Sequence, residues 1–234
     1  MALPMVHSKN GITSQSSVLH RSLHKDPHTV VAAQGNFLTL SNGQKIFDAT
    51  GGAAVSCLGH GNERVKKAVI KQMDTVAYCH SLFFATSAAE ELAKELVDST
   101  DGQMNKVFIV SSGSEAVEAA LKLARQFFIE SKPAQPRRTK FIARKESYHG
   151  TTLGALGVGG HVARRALFEP LLVQTAGRVS ACNAYRGMFE GEMTERYVER
   201  LAQELDDEFQ RLGPDTVCAF IAEPVVGAVS DESK

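Results

Sequence analysis

Continuous apolar runs alternate with amphipathic ones along the second half of this chain. Val107-Phe108-Ile109-Val110 is apolar without a break and predicts a buried strand. Residues 115–129 then place Val117, Ala120, Leu121, Ala124 and Phe128 along one helical stripe. Pro133 and Pro136 interrupt the chain, and Phe141-Ile142-Ala143 predicts a second short strand. Residues 194–211 predict a charged amphipathic helix with Tyr197, Leu201, Leu205 and Phe209 inward, closed by Gly213-Pro214. Val217-Cys218-Ala219-Phe220-Ile221-Ala222 predicts a third apolar strand. Strands apolar on both faces, alternating with helices, imply an α/β fold with a mostly parallel sheet and helices on both faces.

The first half has a different pattern. Phe37-Leu38-Thr39-Leu40 and Lys45-Ile46-Phe47 flank Ser41-Asn42-Gly43-Gln44, and Asn-Gly suits the tight turn of a hairpin within residues 28–49. Gly51-Gly52 and Gly59-His60-Gly61 punctuate the next stretch of chain. Gly61 or Asn62 then caps a helix with Val65, Ala68, Val69 and Met73 at helical spacing. A further helix is expected over 87–98, with Ala88, Leu92, Leu96 and Val97 on one face.

Composition narrows the function classes. The 234 residues are 43% hydrophobic and 22% charged, with net charge zero. That balance argues against a nucleic-acid or membrane-surface binder, which works through clustered positive potential. No stretch is apolar for long enough to span a bilayer. Cys57, Cys79, Cys182 and Cys218 are widely spaced with no C-x-x-C pair, which predicts reduced, mostly buried thiols and no zinc site. The first 25 residues carry Lys9, Arg21 and Lys25, several serines and no acid. They suggest a flexible extension over 1–27 and a cytoplasmic protein, with a mitochondrial transit peptide as the alternative.

Chemistry is concentrated at three strand ends. Ser112-Gly113-Ser114 ends a strand and opens a helix, which aims backbone N–H groups and a positive helix end at one point, as an anionic phosphate requires. Ser112 and Glu115 equally fit a helix capping box. No Gly-Lys-Ser/Thr comes after it, so the turn is not a P-loop. Tyr148-His149-Gly150 comes after the strand Phe141–Ala143, where open α/β sheets bind ligands. Tyr148 offers a flat ring for stacking; the alternative is an interfacial tyrosine beside a buried histidine. Glu223, before Pro224, puts a carboxylate at the end of the third strand, either functional or salt-bridged.

Taken in order, five segments carry a resemblance: Asp48-Ala49-Thr50-Gly51-Gly52 through Leu58-Gly59-His60-Gly61; Ser112-Gly113-Ser114-Glu115-Ala116 with Lys122-Leu123-Ala124-Arg125; Tyr148 through Leu156; Asn183-Ala184-Tyr185-Arg186; and Ala219 through Ala228, which contains Glu223-Pro224-Val225. From about residue 28 to residue 228 the sequence resembles the class III pyridoxal-phosphate-dependent aminotransferases.

The resemblance implies the large domain of fold type I, incomplete at its C-terminus, with residues 28–60 as the hairpin part of a small domain and 61–234 as a partial large, cofactor-binding domain. It implies pyridoxal 5'-phosphate as cofactor and a homodimer, or pairing with a full-length relative. Ser112, Gly113 and Ser114 would hold the cofactor phosphate, Tyr148 would stack on the ring, His149 would shape the turn, and Glu223 would lie near the ring. Ala53, Ala54 and Phe84 fall where the family places substrate contacts. The implied reaction moves an amino group between an amine or amino acid and an oxo acid. The family's Schiff-base lysine and ring-nitrogen aspartate lie after the Glu-Pro-Val segment. Lys122, Lys145, Asp231 and Lys234 do not match them, so no catalytic residue is assigned. The alternative is a non-catalytic, truncated relative, or one half of a split enzyme, acting through the inherited dimer surface.

Overall fold

A computed structural model describes residues 16–20, 22, 24–173 and 176–227. Lys9, Arg21, Ala228, Asp231 and Lys234 lie outside the described residues. The chain divides into two compact units, meeting in sequence at Asn105 and Lys106, well after the 60/61 boundary that the resemblance implies.

The first unit opens with strands β1 (Val30–Gln34), β2 (Phe37–Leu40) and β3 (Lys45–Phe47), paired antiparallel in that order. The expected Asn-Gly turn closes β2 onto β3. Gly43 has φ +84°, its N–H donates to the Leu40 carbonyl, and the Asn42 side chain accepts from the Gln44 N–H. Positive φ at this position is why glycine serves here. Helix α1 spans Gly51–Ala54, α2 spans Glu63–Thr75, and α3 spans Ser87–Asp98. Asn62, not Gly61, caps α2, its side chain accepting the Val65 N–H at 3.2 Å. Thr86 caps α3 through the Ala89 N–H. The apolar positions Val65, Val69, Met73, Leu92 and Leu96 are exposed, so both helices form with these residues uncovered.

The second unit is built on a parallel sheet of order β5-β4-β6, with β4 at Lys140–Arg144, β5 at Ala176–Val179 and β6 at Val217–Ile221. Helices α4 (Gly113–Glu130), α5 (Leu153–Val158), α6 (Val162–Arg165), α7 (Ala184–Gly187) and α8 (Thr194–Leu212) surround it. The core is Ile142, Val179 and Val217, one residue from each strand, covered by Leu205, Phe209 and Leu212 of α8 and by Phe220. Tyr197, Leu201, Leu205 and Phe209 face inward as their spacing predicts; Tyr197 is buried, and its hydroxyl accepts the Asn183 N–H at 2.9 Å. The sequence pattern does not predict strand β5, because Ala-Gly-Arg-Val is neither a continuous apolar run nor a clean alternation.

Three expectations are corrected. Val107–Val110 forms no strand among the described residues, and Phe108 and Ile109 are 78% and 54% exposed. A run that apolar is strand-competent, but a strand needs a neighbour's N–H and C=O groups, and no described segment supplies them. On α4, Val117, Leu121, Ala124 and Phe128 turn inward as predicted, whereas Ala120 is exposed because it sits at the edge of that stripe. The cysteines are free, as expected, but Cys57 and Cys182 are exposed and Cys79 and Cys218 only half-buried.

Candidate functional site

The phosphate-type turn is assembled at the start of α4. Ser112 is the N-cap, in extended conformation, and its hydroxyl accepts the Glu115 N–H at 3.2 Å. The Glu115 carboxylate reaches back to accept the Ser111 N–H at 2.8 Å. The capping box therefore exists, displaced by one residue on its return arm. It leaves the Gly113 and Ser114 N–H groups, the first two of the helix, with no acceptor among the described residues. A Cβ built on Gly113 meets nothing within 4 Å, so the space beside this residue is open. An 18-residue helix adds its positive end to the same spot.

The second turn packs directly against the first. The Ser114 hydroxyl accepts the Thr151 N–H at 3.0 Å. Gly150 has φ +134°, and a Cβ there would lie 2.7 Å from Ser114 Oγ and 2.9 Å from Ser114 Cα. Only glycine allows that conformation and that approach together. Tyr148 is half-buried, and the Arg164 guanidinium lies 4.6 Å from its ring centroid, covering one face of the ring. His149 is buried, and its Nε2 has no hydrogen-bond partner among the described residues. Burial pushes its pKa below the ordinary histidine value, with Glu223 opposing the shift and Arg178 reinforcing it.

Glu223 closes the third side. Its carboxylate accepts the Tyr148 N–H at 3.1 Å, while its carbonyl accepts from Arg144 at 3.2 Å. Among the described residues it forms no ion pair, so the salt-bridged alternative is corrected: the carboxylate is satisfied by backbone N–H groups. Thus three segments spread over more than a hundred positions come together: the turn with Ser112, Gly113 and Ser114 is joined to the turn with Tyr148 and His149 by the Ser114–Thr151 hydrogen bond, and that turn to Glu223 by the Tyr148–Glu223 hydrogen bond. Beside them a cavity of about 290 Å³ opens at the carboxyl ends of all three strands, between residues 144–147, residues 181–184, and Glu223 with Val226. That is where open α/β sheets take ligands.

Ala53, Ala54 and Phe84 belong to the first unit. Ala53 and Ala54 lie in α1, where Ala54 has φ +67° and is exposed; Phe84 is 66% exposed and makes an edge contact with Phe83. Lys122 is exposed on α4, and Lys145 borders the cavity at the end of β4.

Sequence reasoning missed the residues that hold the second turn from outside. Arg165 donates to the carbonyls of Leu156, Gly157 and Gly159, and Arg178 to those of Gly157 and Gly159. Two guanidiniums thus converge on the carbonyl end of α5, complementing its dipole. Arg178 is pushed down to about 10 by burial and by the neighbouring Arg165 charge. Glu118 accepts the Gly154 and Ala155 N–H groups at the other end. No local pattern marks these residues, because each acts on a distant segment.

Known proteins resemble this chain in structure and in sequence. The omega transaminase of Pseudomonas jessenii, solved in complex with PMP, superposes with a TM-score of 0.79 at 30% identity, over 86% of this chain and 44% of that one. An amine transaminase from an uncultivated Pseudomonas species, in its PLP-bound form, gives a TM-score of 0.81 at 28% identity, over 97% of this chain and 49% of that one. An aminotransferase of Gibberella zeae is 54% identical over 211 residues, which is 90% of this chain and 41% of the relative. Gamma aminobutyrate transaminase 3 of Solanum lycopersicum is 35% identical over 87% of this chain and 39% of its own length. The chain therefore spans less than half the length of these curated relatives. The sequence profile of the class-III aminotransferases matches residues 19–231, and the chain belongs to that family.

Proposed function

We propose that this chain supplies the phosphate-holding and ring-holding part of a pyridoxal 5'-phosphate site, in a protein that transfers an amino group between an amine or amino acid and an oxo acid. The observation that carries this reading is the open pair of N–H donors at Gly113 and Ser114, packed against the Tyr148-His149-Gly150 turn through the Ser114–Thr151 hydrogen bond. The donor set suits the cofactor: unpaired N–H groups at a helix start fit a phosphate dianion, and a half-buried tyrosine fits a flat ring. When bound, pyridoxal phosphate supplies an electrophilic aldehyde and an electron-accepting ring.

The chain's own residues then have distinct tasks. Gly113 and Ser114 N–H groups, helped by the Ser112 and Ser114 hydroxyls, bind and orient the phosphate. Tyr148 stacks through the face that Arg164 leaves uncovered. Glu223 holds the Tyr148 backbone in place. His149, kept neutral by its burial, shapes the turn that carries Tyr148 and packs beneath it. Proton transfer itself is assigned to no residue of this chain. The same reading extends to a homodimer, or pairing with a full-length relative, in the cytoplasm.

A titration of the purified chain with pyridoxal phosphate, monitored by absorbance, tests this reading. Saturable binding is expected. Gly113→Val, which crowds the turn beside the donors with a side chain whose Cβ meets no protein atom within 4 Å, is expected to weaken it by about tenfold or more with the fold intact. Unchanged affinity removes Gly113 from the site, and no binding by the unsubstituted chain overturns the reading.

A further inference from the structure

Thr152 stands at the N-cap of helix α5 and is of a type well suited to cap a helix, yet its side chain makes no capping bond and its hydroxyl is buried without a partner among the described residues. The capping is done from another helix. Glu118 Oε1 accepts the Gly154 N–H at 2.7 Å and the Ala155 N–H at 3.2 Å, which are two of the orphan donors at the start of α5. Glu118 sits one turn beyond Ser114 on α4, so the two side chains project from the same face. Ser114 holds Thr151, and Glu118 holds Gly154 and Ala155.

We propose that Glu118 is a positioning residue of the cofactor site: its carboxylate fastens the start of α5 to the helix behind the phosphate turn and so fixes Tyr148-His149-Gly150 against Ser112-Gly113-Ser114. The proposal rests on the cofactor reading for its consequence, but not for its geometry. Residue 154 is shaped for the contact. A Cβ there would collide with Glu118 Oε2 and lie 2.7 Å from Oε1, so any larger residue displaces the carboxylate. The far end of α5 is already held by Arg165 and Arg178. Glu118 completes the restraint at the near end, which is continuous with the turn bearing Tyr148.

Amide hydrogen exchange and ligand titration on the full chain test this together. Glu118→Ala is expected to speed exchange across 148–158, while Glu118→Gln, which keeps an acceptor oxygen, restores most of the protection. Glu118→Ala is also expected to weaken pyridoxal phosphate about tenfold while leaving inorganic phosphate, which needs only the first turn, close to its original affinity. Gly154→Ala should reproduce the pyridoxal-phosphate loss, although alanine is the better helix former. Added to Glu118→Ala, it should cost little more, since the carboxylate it displaces is already gone. Unchanged exchange in Glu118→Ala, or equal loss of phosphate and pyridoxal phosphate, overturns the proposal. Faster exchange in a chain that binds no pyridoxal phosphate even when unsubstituted keeps the Glu118 fastening and overturns the cofactor reading instead.

Discussion

Val107-Phe108-Ile109-Val110 and Phe141-Ile142-Ala143 are alike as sequence and opposite as structure. Both are short apolar runs, and both lead into a turn of the candidate site. The second is the central strand of the sheet, with parallel partners on either side and Ile142 fully buried. The first has no strand partner among the described residues, and Phe108 is one of the most exposed aromatics of the second unit. The turns they lead into differ in the same sense: Gly113 faces open space, while Gly150 is packed on Ser114. An apolar run therefore specifies a tendency to be buried, and the neighbours available decide whether it is.

The strongest test of that contrast is Ile142→Ala. Removing a fully buried side chain from the middle strand is expected to cost about 3 kcal/mol in denaturant unfolding. A loss under about 1 kcal/mol would mean that the sheet core is not the stabilising element. Gly150→Ala should come next, at about 2 kcal/mol, from the positive φ and the close approach to Ser114. It should also abolish the coupling of the two turns, seen as weaker pyridoxal-phosphate binding. Gly113→Val, by contrast, should leave the unfolding midpoint nearly unchanged.

The pH dependence gives a smaller effect with a definite sign. Burial lowers the folded-state pKa of His149, so between that value and the unfolded value near 6.5 the unfolded chain binds more protons. Stability from this group is complete above about pH 6.5 and declines as pH falls toward the folded-state pKa. Glu192 and Glu208, held below the usual carboxylate range by hydrogen bonds from Arg200 and Arg211, lose their contributions only at more acid pH. His149→Gln should flatten the fall of the unfolding midpoint as pH drops below about 6.5; an unchanged slope would assign it to other groups. The smallest effect is expected from Phe108→Ala, within about 0.5 kcal/mol, because the side chain loses little burial.

Much of the site is legible in the sequence because its pieces are local. The capping box at Ser112 and Glu115 and the placing of Tyr148 and Glu223 after strands are consequences of residue type and spacing. Glu118, Arg165 and Arg178 are not legible: each acts on backbone atoms of α5 from a separate segment, and nothing near them in sequence marks the target. The exposure of the apolar faces of α2 and α3 is equally beyond the pattern, since a 3.6-residue period states which face is apolar and not whether anything covers it.

By itself the sequence determined the four longer helices α2, α3, α4 and α8, the cap at Ser112, the Asn-Gly hairpin, two of the three parallel strands and the family, because periodicity, turn chemistry and motif spacing are properties of the chain alone. Only the tertiary structure decided that β4 lies at the centre of its sheet, that Val107–Val110 goes unpaired among the described residues, and that Gly150 and Gly154 seat against Ser114 and Glu118. Those outcomes depend on hydrogen-bond partners and free volume supplied by distant residues, which no local pattern encodes.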